Sequence, residues 1–274
     1  MACKQSRAAL SAVRRTAGIA AAVLTAAGVL AAAPTASASV VSFCEGLGAT
    51  WDGQYCRTTV ASERNALRDI KIAIPAEFID DPAAGPVVRD YLSALVNNWK
   101  TVGVKMAADS FGEGNFQVFR RGPIASLVYR ETYHADGPDF NNAYRTFTFD
   151  MSAGRRLQLV DVLKPGTDLA AIPPLAHPFI VRALDTAPPP HQPGSYPFVA
   201  DRWTPDKVYS GGYKAWALTP DELVLYMPDY PVGRDSPTNF TPGIMQWSMD
   251  GGAVQAHIPL TALSPILRPE FGGT

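Results

Sequence analysis

The sequence predicts an α+β fold, a mostly antiparallel β-sheet with two main helices packed on it. Several short β-like runs are separated by clusters of Gly, Pro, Asn and Asp, which is typical of strands joined by turns. Two other segments carry apolar residues at helical spacing. The 24 prolines and 22 glycines among 274 residues argue against a helical bundle, and the hydrophobic content of 47% is that of a globular chain.

Residues 1–38 have the features of a secretory signal peptide. Basic residues extend to Arg15, an apolar run covers Ala17–Ala33, and Ala36–Ala38 forms an A-x-A cleavage site. The alternative is a transmembrane anchor, but the apolar run is slightly short for a span and Pro34 follows it. We therefore expect a mature protein that starts near Ser39.

The mature chain is expected to be secreted, and to be extracellular or associated with the cell envelope. Residues 39–274 are expected to form a single α+β domain, with a sub-division near 135–140 as a secondary option. Removing the four basic residues of the signal leaves 20 basic and 25 acidic residues, a formal charge of −5. This balance disfavours nucleic acid and anionic membrane as partners, and we expect a monomer that does not contact the membrane after cleavage.

Two cysteines remain after removal of the signal, Cys44 and Cys56. An even pair in an exported chain predicts a disulfide bond. The competing interpretation is a metal site, which would need further ligands. The four histidines are scattered singly and no C-x-x-C spacing occurs, so we expect no metal and no cofactor.

The first elements of the mature domain are a strand and a helix. Residues 69–74 alternate apolar and polar side chains, and the apolar positions Ile70, Ile72 and Ile74 share one face. Pro86–Val102 has an apolar stripe at helical spacing, with Pro86 in the first turn. Val88, Leu92, Leu95 and Trp99 lie in this stripe, which should pack on the sheet.

Three β-like runs follow, Phe116–Arg120, Ala125–His134 and Ala143–Met151. The short turns between them predict antiparallel pairing. A second helix is predicted at Leu175–Leu184, with Pro178 inside it.

The end of the chain predicts two hairpins and a short closing helix. Tyr213–Leu218 and Leu223–Met227 flank one turn, and Met245–Met249 and Val254–Pro259 flank another. The closing helix is predicted at Thr261–Leu267.

Several segments, taken in order, resemble the mycobacterial secreted immunogenic protein family, which shares an extracytoplasmic domain with lysozyme-binding anti-sigma factors. The similar segments are Phe43–Leu47 with Cys56, Ile70–Pro75, Tyr144–Asp150, Leu157–Leu163, Leu223–Tyr226 and Ile258–Leu263. The resemblance implies a secreted, actinobacterial, antigen-like protein with β-grasp-like elements in an α+β fold. It also implies that carboxylic ester hydrolysis is a function to consider.

One motif departs from this family. The family carries Gly-x-His-Pro before its aromatic strand, whereas this chain has Gly137-Pro138-Asp139-Phe140. Asp139 stands where the histidine would be, so a role that rests on that histidine does not transfer.

Ser110 is the nearest candidate for a catalytic nucleophile. It lies in Ala108–Gly112, an A-x-S-x-G variant of the nucleophile elbow, but the elbow requires a strand before the serine and a helix after it. Here a helix end precedes the serine and a loop is predicted to follow, so a solvated loop serine explains the residue with fewer assumptions. No histidine is selected as its base.

Loop residues offer a binding interpretation. Asp136 and Asp139 lie in the loop before the aromatic strand, and Trp203 and Tyr209 lie in a predicted loop near Gly211. We expect both aromatic rings to be exposed, as anchors for a sugar or a protein. Core packing is the alternative for such rings.

Two functions remain open from the sequence. The first is a non-enzymatic secreted protein that binds a protein partner, lysozyme-like or from a host, or a cell-wall glycan. The second is a secreted carboxylesterase with Ser110 or an unidentified nucleophile. The absence of a nucleophile elbow favours the first.

Overall fold

The computed structural model describes residues 38–134, 140–188, 190–227, 240–244 and 254–274, which form an α+β fold. The helices are α1 (Ala38–Gly46), α2 (Ala76–Ile79), α3 (Ala84–Gly103), α4 (Ile172–Asp185) and α5 (Leu260–Leu263). The strands are β1 (Thr50–Trp51), β2 (Cys56–Ala61), β3 (Leu67–Ile72), β4 (Ser110–Arg121), β5 (Ile124–His134), β6 (Phe140–Asp150), β7 (Arg155–Leu157), β8 (Trp216–Leu218), β9 (Glu222–Met227) and β10 (Val254–Pro259).

The strands form two sheets. The large sheet has the order β1-β2-β3-β4-β5-β6-β7, and the small sheet has the order β10-β9-β8. Neighbouring strands are antiparallel except β3 and β4, which are parallel. A parallel pair needs a crossover connection, and α2 with α3 provides it.

The helix α3 packs on one face of the large sheet, as predicted. Its buried stripe includes Val88, Leu92, Leu95 and Trp99, which join the side chains that β3, β5 and β6 present on the same face. The sheet comes close to the Trp99 ring, because a Cβ atom on Gly112 of β4 would lie 2.6 Å from that ring. Only glycine fits at this point of the strand.

The small sheet stacks on the opposite face of the large sheet. Its edge strand β8 donates two backbone N–H groups to side chains below it: Trp216 N–H to Thr146 Oγ1 and Leu218 N–H to Ser126 Oγ, each at 2.9 Å. Ala217 and Val224 pack beside them against Val128. Two hydroxyl groups of the large sheet thus accept hydrogen bonds from backbone N–H groups of β8 that no neighbouring strand pairs with.

The helix α4 covers the other face of the small sheet. Its buried residues Ile172, Ala176, Ile180 and Leu184 pack in one apolar cluster with Leu225 and other side chains of β8, β9 and β10. The predicted α+β class is confirmed, but both helices were predicted to lie on one sheet. They lie on different sheets, because the two groups of strands do not pair with each other edge to edge and stack face to face instead.

Individual sequence predictions agree with these elements to different degrees. The first C-terminal hairpin is confirmed as β8 and β9, whereas Met245–Met249 lies outside the described residues and β10 pairs with β9. The closing helix is shorter than predicted and ends at Leu263. None of the helices in the described part of the chain has the length and apolar character that crossing a bilayer requires.

Candidate ligand-binding site

A polar pocket of about 540 Å³ opens beside the first three strands, next to the end of α1. We call it the N-terminal pocket. Its lining residues are Glu45, Gly48, Ala49, Thr50, Arg57, Thr58, Thr59 and Asp69. Carboxylates, hydroxyls and a guanidinium therefore line most of it.

Strand pairing places three of these side chains together. In the antiparallel register of β2 and β3, Thr59 lies opposite Asp69, and Thr50 of β1 lies opposite Arg57. Directly opposite residues project to the same face of a sheet, and positions two apart along a strand do so as well. Arg57, Thr59 and Asp69 consequently project from one face of the sheet, although Asp69 lies 12 positions after Arg57 in the sequence.

The disulfide bond fixes the other wall of the pocket. Cys44 near the end of α1 is bonded to Cys56 at the start of β2, with their Cα atoms 5.5 Å apart, so the predicted pairing is confirmed. Lys100 Nζ of α3 donates to the carbonyl oxygens of Leu47 at 2.6 Å and Gly48 at 3.3 Å. Gly48 adopts a φ of +63°, which favours glycine. The loop that enters the pocket is therefore held by a covalent bond and by the partly buried Lys100 ammonium.

Asp52 holds Arg57 at the edge of the pocket. The Asp52 carboxylate accepts the backbone N–H groups of Tyr55 at 2.6 Å and Gln54 at 2.8 Å, and it forms an ion pair with Arg57 Nε. These bonds, first that of Tyr55 and then that of Arg57, lower the pKa of Asp52 to about 2. The hydrogen bond from Arg57 to Asp52 raises the pKa of Arg57, and the negative charge of Asp69 adds to this effect.

Two exposed carboxylates face the pocket without a protein partner. Among the described residues, neither Glu45 nor Asp69 makes a side-chain hydrogen bond or ion pair. The threonine hydroxyls next to them can both donate and accept hydrogen bonds. A ligand with many hydroxyl groups fits this set, because carboxylates accept hydroxyl protons and Arg57 donates.

A second pocket, of about 640 Å³, lies between α4 and the segment that contains the predicted aromatic anchors. Trp203 and Tyr209 were expected to be exposed, and this is wrong: their exposed fractions are 0% and 5%. Trp203 Nε1 donates to the carbonyl oxygen of Pro197 at 3.0 Å, and Tyr213 Oη donates to that of Trp203 at 3.0 Å. The segment folds into tight turns beneath α4, so both rings are part of the apolar core and do not project as anchors.

Ser110 lies at the start of β4 and not in a loop. It pairs with Arg68 in the parallel register, its exposed fraction is 8%, and its Oγ has no hydrogen-bond partner among the described residues. The nearby His134 uses Nδ1 to accept the backbone N–H of Phe111 at 3.2 Å. The serine thus has neither a base nor open access in this arrangement.

Asp136 and Asp139 lie outside the described residues, so their binding role stays a prediction. The residues of the N-terminal pocket were not predicted as a site. A signal existed at Asp69, which lies on the polar face of the predicted strand, but nothing in the sequence connected it with Glu45. In the described part of the chain, no group of three or more His, Cys, Asp or Glu side chains is arranged to hold a metal ion.

Two protein-family models match different segments of the chain. Residues 160–261 match the family model described as a protein of unknown function, DUF3298, and residues 33–70 match the family model described as a mannan-binding protein. No curated protein matches the sequence significantly.

Two crystal structures of DUF3298 family proteins are similar to the chain. The protein from Pseudomonas aeruginosa PAO1 has 14% sequence identity and a TM-score of 0.49, over 81% of this chain and 96% of its own. The protein from Bacteroides fragilis NCTC 9343 has 13% identity and a TM-score of 0.44, over 80% of this chain and 94% of its own. The N-terminal pocket lies apart from the segment that is similar to the DUF3298 model, and all of its lining residues lie within the segment similar to the mannan-binding model.

Proposed function

We propose that this chain is an exported carbohydrate-binding protein, and that its N-terminal pocket binds a mannose-rich glycan of a cell envelope. The observation that carries the proposal is the coincidence of two independent features. The lining of a polar pocket falls wholly within residues 33–70, the segment that matches a mannan-binding family model.

The chemistry of the pocket supports a sugar as the ligand. Vicinal hydroxyl groups of a pyranose can donate to the carboxylates of Glu45 and Asp69, and they can accept from Arg57 and from Thr59. Because Arg57 is already held by Asp52, little side-chain entropy is lost when a ligand contacts it.

Export supports the same proposal. Residues 1–38 have signal-peptide features, and the Cys44–Cys56 disulfide is the kind of bond that persists in oxidising compartments outside the cytoplasm. An exported protein meets envelope glycans directly. The protein partner considered from the sequence remains a prediction that rests on the loop of Asp136 and Asp139. The resemblance to the mycobacterial secreted immunogenic family also remains a prediction, and it rests on the segments named above. No described contact of Ser110 favours the esterase.

Isothermal titration of the mature chain with a branched mannan tests the proposal. Asp69→Asn and Glu45→Gln each remove one acceptor charge while keeping the side-chain volume, and we expect each to weaken mannan binding at least tenfold, about 1.4 kcal/mol. Glu63→Gln is the matched control, because Glu63 is an exposed carboxylate outside the pocket.

Dextran serves as the control ligand, and the melting temperature of each variant confirms that it is folded. Absence of mannan binding by the natural chain would overturn the proposal. Equal mannan affinity of the natural chain and both pocket variants would show that the sugar binds elsewhere.

A further inference from the structure

We propose a second binding site, for an organic anion that joins a carboxylate or phosphate group to a flat apolar ring. The site is a pocket of about 450 Å³ beside β6, which we call the β6 pocket. Its cationic residues are Arg145, Arg156 and Lys214, and its aromatic residues are Tyr91, Tyr144, Phe147 and Phe240.

The β6 pocket exists because β6 is longer than its outer neighbour. The strand β7 pairs only with residues 148–150 of β6, which leaves Tyr144–Phe147 without a strand partner on that side in the described part of the chain. Tyr144 and Arg145 project to opposite faces of the sheet. Both side chains line the pocket, because it lies at the open edge of β6. Residues 214–215 and 240–242 close it from the other side.

The charge in this pocket is positive and mostly uncompensated. No Asp or Glu side chain is among its lining residues. Arg145 is neutralised by Glu131 at 3.0 Å, but Arg156 and Lys214 form no ion pair with any carboxylate in the described ranges. Two positive charges therefore remain available to a ligand.

Arg156 carries the clearest sign of an unmet partner. Its guanidinium lies over the Phe147 ring at 4.9 Å, and Nη2 makes a long hydrogen bond of 3.4 Å to the carbonyl oxygen of Thr146. Arg156 is exposed as a whole residue, but partial desolvation of its guanidinium lowers its pKa, and no carboxylate in the described ranges pairs with it. An anion bound next to it would supply the opposite charge.

The aromatic side chains of the pocket favour a ligand that also carries an apolar ring. Lys214 Nζ lies 5.5 Å from the centre of the Phe240 ring, so a cation and an aromatic face occur together on this side as well. The Tyr91 and Phe147 rings, which also line the pocket, are tilted by 56° with their centroids 5.1 Å apart. We expect a ring-bearing anion to contact these aromatic side chains with its ring and to place its charge near Arg156 and Lys214.

The wall that contains Phe240 and Pro242 is attached to the rest of the fold by three hydrogen bonds of residues 241–243. The buried carboxylate of Glu131 accepts the backbone N–H of Gly243 at 3.0 Å, and Arg145 donates to the carbonyl oxygen of Thr241 at 2.9 Å. Asn98 of α3 donates to the carbonyl oxygen of Pro242 at 2.8 Å. The pocket is thus a preformed site with an internal ion pair behind it.

Titration of the mature chain with three probes of similar shape tests the site: benzoate, phenyl phosphate and the neutral benzyl alcohol. We expect at least one of the two anions to bind ten times more tightly than benzyl alcohol. Preference for benzoate would identify a carboxylate ligand, and preference for phenyl phosphate would identify a phosphate ligand. If neither anion binds more tightly than the alcohol, the proposal is wrong.

Variants locate the binding. Arg156→Gln and Lys214→Gln should each weaken binding of the preferred anion at least fivefold, whereas Arg155→Gln should not change it, because Arg155 lies next in sequence but outside the pocket. An equal loss in all three variants would indicate non-specific charge attraction and overturn the proposal. Mannan binding should be unchanged in the same variants, so failure here is distinguishable from failure of the proposed function.

Discussion

The Glu131 carboxylate and the Arg145 guanidinium form a buried ion pair across β5 and β6, with Arg145 Nε 3.0 Å from Glu131 Oε1. Glu131 lies opposite Ala143 and Arg145 lies opposite Tyr129, so the two side chains meet diagonally on one face of the sheet. Tyr91 of α3 also donates to Glu131, at 3.0 Å. Burial opposes charge on Arg145, but the charge and hydrogen bonds of Glu131 outweigh it and raise the pKa of Arg145.

Glu131→Gln should destabilise the protein by about 3–5 kcal/mol, because it leaves the Arg145 cation buried without a counter-charge. The free energy of unfolding in urea measures this. Glu113→Gln is the matched control, since Glu113 pairs with Lys71 at 2.7 Å near the surface and should cost at most about 1 kcal/mol. Similar losses in the two variants would contradict the assigned role of the buried pair.

Leu92→Ala should cost about 2–5 kcal/mol of unfolding free energy, because Leu92 is completely buried between α3 and the large sheet. Asn97→Ala on the exposed side of the same helix should change the unfolding free energy by at most about 0.5 kcal/mol. A loss below that limit for Leu92→Ala would mean that the stripe does not pack as described.

Reduction of the Cys44–Cys56 bond, or Cys44→Ala with Cys56→Ala, should lower stability by about 3 kcal/mol, chiefly because the unfolded chain gains freedom. The same double variant should bind mannan more weakly, since the bond holds a wall of the N-terminal pocket. Alkylation of the native protein should modify neither cysteine. Labelling of either one without reductant would be inconsistent with the bond.

Asp52 should contribute to stability in a pH-dependent way. The pKa of Asp52 falls from 3.8 to about 2 on folding, so the folded state favours the charged carboxylate. Its stabilising contribution is complete above about pH 4 and is lost as the pH falls through 3.8 towards 2. The melting temperature of Asp52→Asn should therefore lie below that of the natural chain at pH 6, and the two should converge at pH 2. A difference that stays constant over this range would argue against the lowered pKa.

The local elements could be predicted from the sequence because their periodicity is a local property. The stripe from Val88 to Trp99 and the alternation at Ile70 and Ile72 identified a helix and a strand whose buried faces are as expected. The even cysteine count likewise predicted the disulfide bond.

The packing of these elements against one another could not be predicted from local periodicity. The stacking of the two sheets depends on hydrogen bonds from β8 to Ser126 and Thr146, which no periodicity reveals. Trp203 and Tyr209 lie in a turn-rich segment that predicted exposure, but tertiary packing under α4 buries both rings. The N-terminal pocket brings Glu45 and Asp69 together through the disulfide and the β2–β3 register, so only the folded chain identifies it.

Hydrogen–deuterium exchange of residues 39–274 with and without a mannan oligosaccharide shows where the glycan binds. We expect slower exchange in the presence of the oligosaccharide at residues 45, 48–50 and 57–59, which line the N-terminal pocket, and no change at residues 200–213, which adjoin the second pocket. Protection confined to residues 200–213, or no protection at a concentration of oligosaccharide that saturates binding, would contradict the assignment of the glycan to the N-terminal pocket.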